Sequence, residues 1–426
     1  MTTTTLATPV RAPVSISRRY LAAGTFIGLG LINIFVFGFF AHRGDAVFAL
    51  SLPGATPHVP PIRTPGAVTA YVAGAISIGL GVLRAVADLP RWGKRLSIAV
   101  VLLCFLVALL SWADAGNSVG SLEVVDLLQG TVTASIPLVL GALAGLLGER
   151  AGVINIAIEG QLLTGAFTAA AVASVTGGVW YGLLGGSLAG GLLGALLAIF
   201  AIMFLADQII VGVVLNVIAL GLTDYLNNRV MGPYASTFNT GNTFGTFKIP
   251  VLGNIPIIGP VFFDSNVFLY ITYALILVIQ IGLFSTRWGL RVRAVGEHPT
   301  AADTVGIRVL WTRYRNVILG GLIAGIGGAY LTVGSVGFFT SDISSGFGYI
   351  ALAAMIFGRW TPLGSVAAAL LFGFSFQLQT ELSVLRVPVS SFILLMAPYV
   401  ATIIAVAGLV GRVRPPAADG KPYVKA

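Results

Sequence analysis

The chain has 426 residues, 57% hydrophobic and only 9% charged, with a formal net charge of +9. A soluble chain of this length needs a charged surface that this one lacks, and a mean hydropathy of +0.95 makes lipid its solvent. The positive balance does not point to nucleic acid, because the basic residues sit at the ends of apolar runs and no basic patch with interleaved aromatics occurs.

Residues 1–19 are rich in Thr, Pro and Ala, carry no acidic residue, and read as a disordered cytoplasmic tail. The apolar span that follows is longer than a signal-peptide core and lacks a convincing cleavage site, so it reads as retained. Apolar runs then recur near 20–40, 68–88, 96–112, 125–147, 152–175, 179–205, 209–227, 266–285, 316–337, 346–358, 362–380 and 391–410. Most have the length a helix needs to cross about 30 Å of hydrocarbon. The run at 346–358 is short enough to be re-entrant, and those at 125–147 and 152–175 nearly touch. The expectation is an all-α, polytopic transmembrane bundle of about 10–12 spans.

Orientation follows from the basic residues. With the N-terminus inside and twelve crossings, 19 of the 24 Lys and Arg fall on the inner side. Only Arg43, Arg63, Arg229, Lys248 and Arg386 fall outside. Such a bias fits the positive-inside rule and an even number of crossings, with both termini cytoplasmic. The glycine-rich stretch Gly178–Gly194 has small residues at the spacing that lets membrane helices pack backbone to backbone.

Polar residues inside spans are costly, so each is a functional candidate. The richest cluster is Gly148–Gln161, GERAGVINIAIEGQ. Glu149 and Arg150 read as surface residues. Asn155 and Glu159 are four apart and share a helix face, with Gln161 close by. Glu159 lies well inside an apolar run, either lining a pathway or held by a neighbouring helix. Farther on, Asn216 is mid-span, whereas Asp207, Gln208, Asp224, Asn227 and Asn228 lie near span ends. Among Gln377, Gln379, Thr380 and Glu381, Gln377 lies deepest. The candidate pathway set is Asn155, Glu159, Gln161, Asn216 and Gln377.

No catalytic set emerges: no H-E-x-x-H, no G-x-S-x-G, and no carboxylate pair clearly held at midplane. The single cysteine, Cys104, and the three scattered histidines His42, His58 and His298 offer no metal spacing, and no cofactor is implied. There is no G-x-x-x-x-G-K-[ST], so an ATP-driven process would need its ATPase on another chain.

Phe284–Val309, FSTRWGLRVRAVGEHPTAADTVGIRV, is a polar, arginine-bearing island between two apolar spans. It reads as a short helix on the cytoplasmic face, with Pro299 suited to a first helical turn. It is either a docking site for another protein or an amphipathic loop held to anionic lipid by its arginines.

Four stretches carry a family resemblance. RWGLRVRAVGEHPTAADTVGI resembles the coupling segment of permease subunits of bacterial ATP-binding cassette importers, in the branched-chain amino acid/ribose/nucleoside class. GERAGVINIAIEGQLLTGAF resembles the first conserved block of that class in its nucleoside and simple-sugar form. VGVVLNVIALGLTDYL, with Asn216, and FGRWTPLGSVAAALLFG resemble later blocks. They occur in the expected order over roughly Val132–Gly411.

The resemblance implies a permease core at 125–411, an N-terminal extension of about three spans at 20–124, and a cytoplasmic tail at 412–426. It carries the coupling role onto Gly289, Arg291, Arg293, Ala294, Gly296, Glu297, Pro299, Ala301, Ala302 and Gly306. His298 stands where Asn is commoner in the family. The implied activity is import of nucleosides or simple sugars across the bacterial plasma membrane, with no covalent chemistry in this chain. The implied partners are cytoplasmic ATPases, a second permease subunit and an extracytoplasmic binding lipoprotein. Replacing Gly296 or Glu297 with a bulky or charge-reversed residue is expected to uncouple transport without unfolding the chain. The competing reading is an ion-gradient-driven transporter using Glu159, with Asp207 or Asp224 as further proton or sodium sites.

Overall fold

The computed structural model describes residues 16–41, 44–51, 59–117, 121–387 and 414–425, with the isolated residues 393, 396 and 399. The expected run at 391–410 lies outside the described residues. Among them, ten helices are long and apolar enough to cross a membrane. Lipid offers no partner for a free backbone N–H or C=O, which is why nearly every apolar run closes its own hydrogen bonds as helix.

In chain order the helices are α1 (Ile16–Ile32), α2 (Gly66–Val86), α3 (Arg91–Asp114), α4 (Val124–Arg150), α5 (Ile158–Thr176), α6 (Val179–Ala198) and α7 (Gln208–Leu226). Then come the short α8 (Ala235–Phe238) and α9 (Ile258–Phe263), followed by α10 (Val267–Ser285), α11 (Arg287–Glu297), α12 (Pro299–Thr304), α13 (Val309–Leu331), α14 (Phe347–Phe357) and α15 (Pro362–Val384). Two small sheets in the connections were not anticipated by the all-helical reading. The first joins β1 (Asp45–Ala49), β2 (Ile62–Pro65) and β3 (Leu122–Glu123) in the order β2-β1-β3, and the second pairs β4 (Thr246–Lys248) with β5 (Asp264–Asn266).

The chain divides into two compact units. One comprises residues 1–125 with 381–388, the other 126–380 with 389–426. In the first unit, α1 and α2 approach through glycine: a Cβ on Gly30 would lie 2.8 Å from Gly74 O, and one on Gly74 equally close to Gly30 O. Basic residues gather at one end, where the Arg19 guanidinium donates to Arg84 O and Ala85 O (2.9 and 2.7 Å) and Lys94 pairs with Asp88 (2.6 Å). At the other end β1 pairs antiparallel with β2 and parallel with β3, and the Val47 N–H is held by Asp114 Oδ2 (2.6 Å).

The second unit is built on a glycine seam among α5, α6 and α13. A Cβ on Gly190 would fall 2.5 Å from Gly321 O, one on Gly165 2.7 Å from Gly325 O, and one on Gly186 2.7 Å from Gly165 O. The glycines read from Gly178–Gly194 therefore do set backbone-to-backbone packing, as small residues do in lipid. α4 and α13 are largely enclosed, whereas α7 and α10 are mostly exposed.

The short run at 346–358 resolves into half of a crossing. α14 has 11 residues, about 16 Å of helix, against about 30 Å of hydrocarbon. It ends beside Arg150, whose guanidinium donates to Trp360 O (2.8 Å from Nε). α13 starts at that same end, where Arg313 approaches Gly152. The chain therefore goes over along α13 and returns through residues 337–357, helical only in the second half. The described tail, Arg414–Lys425, also lies at this end, against α11 and α13.

Candidate functional site

Two regions of the second unit hold the polar groups. In the first, Glu159 opens α5 and reaches the N-terminus of α14. Its Oε1 accepts from the Ser344 hydroxyl (2.6 Å) and the Gly346 N–H (2.9 Å), and its Oε2 from the Gly348 N–H (2.6 Å). A half-helix that begins inside the membrane leaves its first N–H groups without partners, and a carboxylate there meets both those donors and the positive end of the helix dipole. A Cβ on Gly348 would lie 2.5 Å from Glu159 Cα, so glycine is what lets the two helices meet.

Asn216 on α7 does the same for α5. Its Oδ1 accepts from the Gly160 N–H (2.8 Å), while its Nδ2 donates to Ile156 O (2.9 Å) and to the Tyr349 hydroxyl (3.2 Å). Asn155 and Gln161, both buried, bond each other's amides (3.1 and 3.3 Å). Gln377 sits against Gly130 of α4, one residue from Phe376, whose ring lies 5.3 Å from that of Phe347 at the start of α14. Asp207 caps α7 through Ile209 N and Ile210 N (2.9 and 3.1 Å), and the buried Gln208 receives the Ile154 N–H (2.7 Å).

The non-helical half of the discontinuous crossing, missed in the sequence, is polar and partly open. Ser341, Asp342 and Ser345 are exposed, as is Tyr349 in the first turn of α14, and Asp342 and Ser345 take left-handed backbone angles (φ 55° and 43°). The Ser341 hydroxyl accepts from Asn227 Nδ2 at the far end of α7 (3.2 Å). Irregular polar backbone at membrane depth is tolerated only where protein covers it or water fills a cavity beside it. The visible signal was the run Thr340–Gly346, TSDISSG, which reads as an ordinary turn until α14 proves half-length.

The second region is the polar island. Thr286 caps α11 through the Gly289 N–H (3.3 Å), and His298 caps α12 by accepting the Ala301 N–H at Nδ1 (3.4 Å). The histidine thus fills the capping role expected of asparagine. Pro299 is at the first turn of α12, and Gly306 follows α12 with φ 84°. Of the residues given a coupling role, Gly289, Gly296 and Ala302 are buried, Arg293, Ala294 and Pro299 half-buried, and Arg291, Glu297, Ala301 and Gly306 exposed.

Gly296 presses on the backbone carbonyl of Arg150, so any side chain there must displace the end of α4. Uncoupling without unfolding is therefore no longer expected of a Gly296 variant, whereas the exposed Glu297 keeps that expectation. Arg293 and Arg150 both stack on Phe284 at the end of α10 (5.2 and 5.7 Å). The open surface bears Arg287, Leu290, Arg291, Val305 and Trp311, with Val305 75% and Trp311 64% exposed. Three bare apolar side chains among arginines form a surface that fits protein better than water.

Glu149, read as a surface residue, is buried. It accepts from Trp360 Nε1 (2.5 Å) and the Asn155 N–H, and meets the Asp419 carboxyl of the tail. Among the described residues no group of three or more His, Cys, Asp or Glu could hold a metal ion.

Residues 127–409 match the family described as branched-chain amino acid transport system / permease component. The chain belongs to this family. It is a multi-pass membrane protein and a permease component. The first 126 residues, holding α1 to α3, lie outside the match.

Among curated proteins, this permease is 40% identical to the guanosine ABC transporter permease protein NupQ of Bacillus subtilis over 317 residues, 71% of this chain and 99% of that one. It is 36% identical to the nucleoside ABC transporter permease protein NupC of Lactococcus lactis over 324 residues, 72% of this chain and 99% of that one. It is 34% identical to the putative glucose ABC transporter permease protein TsgC13 of Haloferax volcanii over 251 residues, 58% of this chain and 74% of that one. No solved structure matches it.

Proposed function

We propose that this chain is the membrane-spanning permease of an ATP-binding cassette importer for nucleosides. The observation that carries the reading is its likeness to two nucleoside permeases over nearly their whole length, whereas the putative glucose permease is matched at 34% identity and over only 74% of its chain. In this reading the α11–α12 surface faces the cytoplasm and receives the ATPase, because the chain has no phosphate-binding loop of its own. Two ATPases, a second permease chain and an extracytoplasmic binding lipoprotein complete the importer. Closure of the ATPases draws the docked helices together and opens the path outward.

The path runs beside the discontinuous crossing, past Tyr349 and the exposed Ser341, Asp342 and Ser345, with the buried Asn216 in the wall behind Tyr349. Glu159 and the Asn155–Gln161 pair hold the walls rather than touch substrate, since their polar atoms are taken up by protein. That occupancy also speaks against the ion-driven alternative, as does Asp207, whose carboxylate is committed to a helix cap.

The test is uptake of radiolabelled guanosine and glucose by cells with and without the gene. Loss of guanosine uptake alone is expected. Uptake that persists without ATP and collapses with the proton gradient would sink the proposal. Glu297→Arg should leave the protein folded and lower uptake severalfold, about 1–2 kcal/mol of coupling, measured beside expression level.

A further inference from the structure

The sequence gives no role to the tail. In the structure, residues Pro416–Tyr423 are threaded between the polar island and the end of the helical bundle. The Ala418 N–H donates to Gly296 O (2.8 Å), and the Ala417 N–H to Glu297 Oε2 (3.3 Å). Arg313 Nη1 of α13 donates to Lys421 O (2.9 Å), and the Tyr423 ring is buried with Val295 of α11, Ala302 of α12 and Val309. Asp419 hydrogen-bonds the buried Glu149, which in turn holds the Trp360 indole just beyond α14. Every element that would move with a docked partner is thus linked, through eight residues of tail, to the half-helix beside the path.

We infer that Pro416–Tyr423 is a strut that passes movement of α11 and α12 to Trp360 and α14, and that Asp419 is its positioning residue. The inference rests on the importer reading for its consequence, though not for its geometry.

The joint at Asp419 is incompletely satisfied. Asp419 Oδ1 and Arg313 Nε and Nη2 are buried without hydrogen-bond partners, although Arg313 is only 1% exposed. Glu149 faces Asp419 from α4 and Arg313 faces it from α13. Close by, Glu297 and Arg150 interact, as do Tyr423 and Asp303. Two carboxyls in contact need a proton between them. Burial pushes the Asp419 carboxyl up to about 7. The docked tail therefore holds a proton that a free aspartate, titrating near 4, gives up. Docking is fully supported in acid below that ordinary value and weakens as pH rises through about 7.

The experiment uses the full chain, Cys104→Ala, with a spin label on the exposed Val424→Cys, and then the assembled importer in vesicles. The label should be immobile near pH 6 and looser near pH 8. Asp419→Asn, which mimics the protonated acid, should hold it at both; Asp419→Ala should free it at both. In vesicles, Asp419→Ala should keep ATP hydrolysis and lower nucleoside moved per ATP about five- to tenfold, with Asp419→Asn near the parent.

If Asp419→Ala fails to fold, Tyr423→Ala attacks the same strut from its other end. A parent label equally mobile at both pH values overturns the strut whatever uptake shows. So does a freed tail with an unchanged transport-to-hydrolysis ratio. Absence of ATP-dependent uptake in the parent defeats the importer reading instead, while the label still decides the strut's geometry.

Discussion

Glu159 and Glu149 lie on either side of the α4–α5 connection, and both carboxyls are buried, yet their surroundings differ in kind. Around Glu159 every partner is a donor: one hydroxyl and two backbone N–H groups at the start of α14. Around Glu149 one partner is another carboxyl, on the tail, next to an arginine with two unpartnered nitrogens. The first region is a closed clamp that fixes where a half-helix begins. The second is a joint whose state a proton or a small shift can change. A transporter needs both: a wall that keeps its shape, and a linkage that does not.

Breaking the clamp should have the largest effect. Glu159→Ala strands two backbone N–H groups and a hydroxyl that are buried or half-buried, a loss of about 2–5 kcal/mol. Against a typical reserve of about 5–15 kcal/mol, the expected result is poor recovery of folded protein from membranes. Glu159→Gln is the sharper version. The amide keeps one acceptor, but its NH₂ then faces an N–H, Gly348 or Gly346 according to its orientation. A cost of about 1–3 kcal/mol follows, visible as a lowered unfolding midpoint in detergent. A midpoint unchanged by Gln would mean that the carboxylate's second oxygen matters little to the clamp.

How much of this contrast was legible beforehand depends on the length scale. Span positions, the glycine seam and the island at Phe284–Val309 follow from local composition, because lipid penalises every exception to an apolar helix. Glu159 and Asn216 stood out for the same reason, as polar residues in costly places. Their partners did not: Ser344, Gly348 and Tyr349 lie more than a hundred residues away, and nothing in TSDISSGFG marks it as a broken crossing rather than a turn. Glu149 reads as a surface residue because it ends a span. Trp360, Asn155 and the returning tail at Asp419 enclose it. Likewise Gly289 and Gly296 have a coupling role only through the family resemblance, and nothing local to them shows that their lack of a side chain serves contact with the chain's own backbone at Leu283 and Arg150.

The joint should tolerate what the clamp does not. Glu149→Gln places an amide where a protonated carboxyl would be: its oxygen can accept from Trp360 and its NH₂ can donate to Asp419. A change under about 1 kcal/mol in stability is expected, against the larger loss for the same substitution at Glu159. Paired melting curves of the two Gln variants measure the difference directly. Equal losses would erase the distinction between the two regions.

The smallest expected effect separates wall from path. Tyr349→Phe removes one acceptor from Asn216 Nδ2, which keeps Ile156 O, so stability should fall by no more than about 0.5–1 kcal/mol. Tyr349 is 49% exposed, unlike Glu159 and Asn155, and its ring is the largest side chain at the open edge of α14. If that edge borders the path, losing the hydroxyl should change uptake more than melting. A shift of a few-fold in the nucleoside concentration that half-saturates uptake, with an unchanged midpoint, is the expected pattern. The reverse pattern would assign Tyr349 to the clamp and move the path to another face of α7.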